Sequence, residues 1–386
     1  MTAHAAPLRG FRILDLCDEL AVYATKLLVN LGADVIRPEP PDGDPMRSYP
    51  PMAEGVSLYF EHFNAGKRSI TLDLDRGGDA ERLERLLATC NAVVESGHPE
   101  ALFSARIGVE TLRRARPDLV LVTVTPFGRH GPRRHHRGGD LVITAQSGLL
   151  ALNGDPDGSP YRPGGEQAAH MAGLLAANAT LLGLLEQQRT GRGCQIDVPA
   201  GFAAALATLQ TANANYYTWH GRVPTRRGIG GPWLRLVHEA ADGWVAIQPL
   251  PGQWDNLTRL LAEHDAVDDL AASDYQDAAY RQEHYAHVIE VISAFTRRFP
   301  KHYLFEAAQN AGVACVPVNT PADIVDDAYL QRRGFFREVE HPRLGRTVRA
   351  PGPPFRFAGR EVGVQAPAPE PGQDNEAIWV QELGMT

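Results

Sequence analysis

Through the first 150 residues, short apolar runs alternate with stretches whose apolar residues recur every three or four positions. FRILDLC (11–17) reads as a buried strand, LAVYATKLLVNL (20–31) as a helix stopped by Gly32, and ADVIRPE (33–39) as the next strand. SITLDL (69–74), GGDAERLERLLATC (77–90) and AVVES (92–96) repeat the strand–helix–strand order, as do VETLRRARP (109–117) and the β-branched LVLVTVTPF (119–127). Such alternation predicts βαβ units, a mostly parallel sheet and a Rossmann-like layout. A long helix of small residues follows within GGEQAAHMAGLLAANATLLGLLEQQRTGRG (164–193), then CQIDVPA (194–200) and a second small-residue helix near 201–217.

Beyond that point the pattern changes. Residues 218–233, TWHGRVPTRRGIGGPW, read as a linker loop, and LVHEAADGWVAIQP as a hairpin turning at Asp242-Gly243. Helical periodicity dominates from 253 to about 311, followed by a strand at VACVPV (313–318) and a helix at PADIVDDAYLQRRG (321–334). The proline-rich tail reads as a wrapping extension. A second domain over roughly 225–320 is the natural division.

Composition narrows the class. The 386 residues, 44% apolar and 22% charged, fit a soluble protein of two domains. A net charge of −8 argues against a general nucleic-acid binder. Cys17, Cys90, Cys194 and Cys315 form no CxxC pair, so neither a disulfide framework nor a structural zinc site is expected, and no metal is assigned. The start, MTAHAAPLRG, has no signal-type apolar run. Ala168 to Leu185 is the one span candidate, and its His170, Asn178 and Thr180 favour a buried helix. A cytoplasmic location is expected.

No HExxH, GxSxG or GxxxxGK[ST] occurs, and the first strand is followed by CDELAVYA rather than GxGxxG. A dinucleotide dehydrogenase would have this layout but not its phosphate-cradling glycines. RHGPRRHHRGG (129–139) is either an anion-holding loop or a solvated one. Lys67 and Arg68 in FNAGKRSITLDL are either ligand-binding cations at a strand end or surface charges. GIGGPW (228–233) is either a set of amides for an oxyanion or a hinge.

Taken in order, several strings resemble the class III CoA-transferases, the family of formyl-CoA transferase and carnitine CoA-transferase. They are PLRGFRILDL…LLVNLGADVIRPEPPDGDPMR (7–47), FNAGKRSITLDL, RIGVETLRRARPDLVLVTVTPFGRHGP (106–132), DLVITAQSGLLALNGDPDGSPYRPG (140–164), LLEQQRTGRGCQIDVPA, ADGWVAI and PGPPFRF. The resemblance implies a Rossmann-like large domain (1–217, with 321–386 returning to it) and a smaller α/β domain (225–320). It also implies two subunits threaded as an interlocked dimer. The substrate would be a coenzyme A thioester, with no prosthetic group. A carboxylate would attack the thioester to give a mixed anhydride, and CoA thiolate would then capture the enzyme carboxyl. Lys67, Arg68 and Arg106 are the positions that the resemblance offers for holding coenzyme A.

Several positions depart, the nucleophile's above all. The family's nucleophilic aspartate lies in an A-D-x-x-x-G pattern, which here reads Ala168-Ala169-His170-Met171-Ala172-Gly173. The catalytic residue is therefore unassigned. Glu166 lies on a neighbouring turn of the same helix face but also suits a first-turn helix charge. His170 reads as a packed or capping histidine. The family's racemase branch would need a histidine before Asp140, where Gly139 stands. Three readings follow: the non-nucleophilic subunit of a heteromeric acyl-CoA:carboxylate CoA-transferase, a homodimeric transferase with an unusual nucleophile, or a silent acyl-CoA-binding or regulatory paralogue. A paralogous subunit or a second copy of the chain is the expected partner, with acyl-CoA and a carboxylic acid as small-molecule partners.

Overall fold

The computed structural model describes residues 6–73, 79–100, 102, 108–154, 158–208, 217–223, 226, 237–247, 249, 252–358, 360, 362–363 and 366–385. The chain divides into a larger unit, residues 1–214 with 333–386, and a smaller unit, 215–332.

The larger unit is built on a six-stranded parallel sheet. In chain order its elements begin with β1 (Arg12–Leu16), α1 (Val22–Asn30), β2 (Asp34–Glu39), the short pair β3 (Met52–Ala53) and β4 (Val56–Ser57), α2 (Leu58–Asn64) and β5 (Arg68–Thr71). There follow α3 (Asp79–Thr89), β6 (Ala92–Ser96), α4 (Val109–Ala115), β7 (Val120–Thr125), α5 (Asp140–Gln146), α6 (Gln167–Thr190), β8 (Gln195–Pro199) and α7 (Ala200–Thr208). The spatial order β5-β2-β1-β6-β7-β8 places the reversal of winding between β1 and β6. In a doubly wound sheet, the crevice outside the carboxyl ends at that point is the ligand site.

Both sheet faces are buried, which is why the strands read as continuous apolar runs rather than as alternation. Ile13, Val35, Val94 and Val122 point into one core with α1, α2, α6 and α7. Leu14, Ile36, Ile70, Val93 and Leu121 point into the other with Leu83, Leu86 and Leu112 of α3 and α4. The small residues of α6 have a packing cause. A Cβ at Gly173 would stand 2.9 Å from Tyr23 Cβ and 3.1 Å from the Ala24 amide of α1, and one at Gly183 would stand 2.6 Å from Val120 of β7. By length and composition α6 would span a membrane, yet half of its apolar window is buried inside this unit.

The tail holds order that the sequence pattern did not reveal. After β12 (Phe336–His341) and β13 (Arg346–Pro351), an antiparallel hairpin, the last segment crosses the sheet edge and ends in a π-helical turn, Glu376–Glu382. Asp374 Oδ2 accepts the Ser69 N–H at 2.9 Å and Asn375 Oδ1 the Thr71 N–H at 2.8 Å. These are outward amides of the edge strand β5, which would otherwise template pairing with another chain.

The smaller unit contains β9 (Val237–Ala240), β10 (Gly243–Ile247), α8 (Trp254–Ala262), α9 (Ala278–Glu283), α10 (Tyr285–Thr296), α11 (Lys301–Asn310), β11 (Cys315–Pro317), α12 (Pro321–Asp326) and α13 (Ala328–Arg332). Its antiparallel sheet, in the order β11-β10-β9, packs Val245 and Ile247 on Leu257, Leu261, Ile292, Phe295 and Leu304. The β9–β10 pairing sets Gly243 opposite Ala240, so the two loop residues are Ala241-Asp242, one position before the turn expected from sequence. Residues 218–220, expected as loop, are helical, and the helix expected over 321–334 is two, because Asp327 adopts an extended conformation between them.

Candidate active site

The carboxyl ends of β1 and β6 meet at a cavity of about 360 Å³. Asp18, Glu19 and Leu20 line it from the β1 loop, Gly97 and His98 from the β6 loop, and Glu166 and Ala169 from the start of α6. A second cavity of about 330 Å³ lies on the far side of Asp18-Glu19, against Arg37, Asp44 and Tyr49. The two loops are tied together: Ser96 Oγ donates to Asp18 Oδ1 at 2.5 Å, and the Asp18 amide donates to Ser96 Oγ at 2.9 Å. Gly97, at φ +130, allows this approach, since a Cβ there would meet Asp18 Oδ2 at 3.0 Å. Burial, and then the neighbouring charge of Glu19, raise Asp18 above the usual carboxylate range.

Asp140 organises the start of α6. Its Oδ1 accepts the Ala168 and Ala169 amides at 2.9 and 3.1 Å, and its Oδ2 pairs with Arg162 at 3.2 Å. The first-turn N–H groups of a long helix usually await an anion; two of them are here satisfied from within the chain. Ala169 then presents a methyl group to the cavity, with no atom able to attack a carbonyl. Glu166, expected as a first-turn helix charge, is the N-cap residue, and its side chain makes no capping bond. Its Oε2 instead accepts the Tyr59 hydroxyl at 2.9 Å. Burial, and then Glu166, push the Tyr59 hydroxyl well above its usual range. His170 packs edge-on against Tyr23, with ring centroids 5.2 Å apart, as a packed histidine would.

Of the cations named from the sequence, Lys67 and Arg68 do not line this cavity. Lys67 is fully buried, and its ammonium donates to Asp15 Oδ2 (2.7 Å), Thr25 Oγ1 (2.8 Å) and Asn64 Oδ1 (2.9 Å). All of its donors are thus used inside the core. Arg37 adds a second partner to Asp15 at 3.0 Å. Burial alone would raise the Asp15 carboxyl; Lys67 and Arg37 outweigh it and hold Asp15 well below the usual range. Arg68 spends its guanidinium on Glu382 (2.7 Å), Asp34 and Asp374 (both 3.5 Å), which anchors the tail. Arg106 and the 228–233 glycine loop lie outside the described residues. The sequence reading missed Asp140 as the cap of α6 and Tyr59 as the partner of Glu166. The first carried a signal only as an acidic residue after a glycine pair, and the second needed contacts across 107 positions.

Among the described residues of the smaller unit, Asp268, Asp269 and His287 are close enough to share a metal ion, but Asp268 and Asp269 are exposed, and His287 Nε2 bonds Asp269 Oδ1 at 2.7 Å.

A doubly wound sheet with its crevice at the β1–β6 switch, and a helix start seated over that crevice, defines an α/β protein whose ligand site lies at that crevice. A family model for CoA-transferase family III matches residues 8–375. The chain belongs to that family. It is 33% identical, over 96% of its length and 93% of the relative's, to the succinyl-CoA:(R)-benzylsuccinate CoA-transferase subunit BbsE of Thauera aromatica. It is 28% identical, over 100% and 96%, to the succinyl-CoA–L-malate CoA-transferase beta subunit of Chloroflexus aurantiacus. Among solved structures, a CaiB/BaiF family protein from Brucella suis superposes with a TM-score of 0.87 at 26% identity, covering 98% of this chain and 100% of that one.

Proposed function

We propose that this chain is the subunit lacking the nucleophile in a heteromeric acyl-CoA:carboxylate CoA-transferase of the cytoplasm, interlocked with a paralogue that carries the aspartate. The observation that carries the reading is Ala169: its methyl group lines the cavity at the seat of the family's nucleophile, and Asp140 consumes the helix-start amides there. The sequestration of Lys67 and Arg68 supports the same reading, since neither cation is free for a CoA phosphate. Two relatives whose names describe them as subunits are consistent with a heteromer, and both names make succinyl-CoA the donor to test first. The acceptor is a carboxylic acid.

The test is co-expression with a paralogue bearing A-D-x-x-x-G, followed by co-purification and a succinyl-CoA transfer assay. The pair should be active, and the isolated chain should show no transfer and no hydroxylamine-sensitive adduct. Robust turnover by the isolated chain would overturn the proposal. Glu166 gives a second reading some ground, because it lines the same cavity as Ala169. If an adduct forms and Glu166→Gln abolishes it, that carboxylate is the nucleophile.

A further inference from the structure

A further cavity, of about 360 Å³, opens at the amino ends of β7 and β8, the end of the sheet opposite to Ala169. It shares no lining residue with the Ala169 cavity. Its apolar wall is made by Leu112 of α4 with Leu119 and Leu121 at the start of β7, all three buried. Four arginines also line it. Arg113 and Arg114 come from the last turn of α4, Arg116 from just beyond it, and Arg192 from the turn between α6 and β8. Glu110 is the one acidic residue of the lining. The two turns that carry these cations are bound to each other: the Gly193 amide donates to the Pro117 carbonyl at 2.9 Å, and the Leu121 amide to the Cys194 carbonyl at 2.8 Å. A Cβ at Gly193 would collide with the Leu119 carbonyl, so a side chain there would push the Arg192 turn away. The Arg192 amide is itself held by Thr190 Oγ1 at 3.1 Å.

The four cations are not equally free. Arg116 is spent on the Leu87 carbonyl, on the Cys90 carbonyl at 2.8 Å and on Asp118 at 2.9 Å. Arg113 pairs with Glu110 at 3.5 Å. Arg114 and Arg192 line the cavity with no ion pair and no side-chain hydrogen bond among the described residues. Cations are favourable in the last turn of a helix, which accounts for Arg113 and Arg114. It does not account for Arg192, which reaches the same cavity from a separate turn. Arg114 and Arg192 thus bring about two unbalanced positive charges to one concavity, which matches the roughly −1.5 to −2 of a phosphate monoester at neutral pH. The guanidinium fork suits phosphate oxygens. A monocarboxylate would leave half of that charge unbalanced, and a free inorganic phosphate would leave the leucine wall uncovered.

We propose that this cavity binds a phosphate monoester, with the phosphate held between Arg114 and Arg192 and the organic part lying on Leu112, Leu119 and Leu121. The proposal does not depend on the subunit reading, which co-purification tests separately.

The experiment is isothermal titration calorimetry of the full chain with phenyl phosphate, inorganic phosphate and benzoate at neutral pH. Phenyl phosphate should bind, and should bind more tightly than either of the other two. The double variant Arg114→Gln, Arg192→Gln should lose about tenfold or more of that affinity. Both arginines are exposed, so the variant should melt at the wild-type temperature. Absence of phenyl phosphate binding to the wild-type chain at millimolar concentration would overturn the proposal, whatever the variant does. So would benzoate or inorganic phosphate binding as tightly as the ester, or full ester affinity in the folded double variant, which would place the ester elsewhere.

Discussion

Lys67 and Lys26 are both buried lysines of the larger unit, and their surroundings lead to opposite predictions. Lys67 has three acceptors, one of them the Asp15 carboxylate. Lys67→Met should cost about 3–5 kcal/mol in chemical denaturation, because it leaves Asp15 buried with one partner fewer. Asp15→Asn in the same chain should recover part of that. The Asp15 carboxyl is held below its ordinary value of 3.8, so its contribution is present above about pH 4 and is lost as pH falls through the lower folded value. Lys26 has no ion-pair partner among the described residues, and burial, then the charge of Lys67, moves its pKa from 10.5 to about 8. Between those values the unfolded chain binds a proton that the native chain has released, so stability should rise with pH across that window. Lys26→Met should abolish the slope and stabilise the chain at pH 7 by something on the order of 3 kcal/mol. Equal stability of wild type and variant would show that the ammonium is not strained.

At the scale of the element, α6 is held at its start by a residue 28 positions upstream. Asp140→Ala should free the Ala168 and Ala169 amides and strand Arg162, at a cost of about 1–2 kcal/mol. Hydrogen exchange at those two amides should quicken about tenfold, while exchange in the middle of α6 should stay slow. Uniform quickening along the helix would argue against a local cap. Much of α6 is legible in the sequence: its small residues, its apolar length and the polar His170, Asn178 and Thr180 within it all point to a buried helix. Its cap is not, because Asp140 lies in a different element, and nothing in local spacing says that the two meet.

At the scale of the whole molecule, the tail closes the sheet edge. Ile378 and Trp379 are buried with Leu83 and Leu86, and Glu382 bridges Arg12 and Arg68. Deleting residues 373–386 should remove about 3–6 kcal/mol of apolar burial and leave the Ser69 and Thr71 amides unpaired. The truncated chain should aggregate at concentrations where the full chain stays dispersed, as light scattering would show. A monodisperse, fully stable truncation would mean that the tail is only an appendage. The proline-rich sequence of the tail marks a wrapping extension, whereas its hairpin and π-helical turn are visible only in the fold.

The alternation of apolar strands and periodic helices determined the doubly wound sheet, since strands buried on both faces must be continuous apolar runs whatever else surrounds them. The identity of residue 169 likewise needed no structure, because a methyl group lacks a nucleophilic atom in any fold. What Lys67 and Arg68 do was decided only by tertiary structure. A cation at a strand end serves either a ligand or a neighbouring carboxylate, and the choice depends on whether Asp15, Asp374 and Glu382, remote along the chain, fold to within reach.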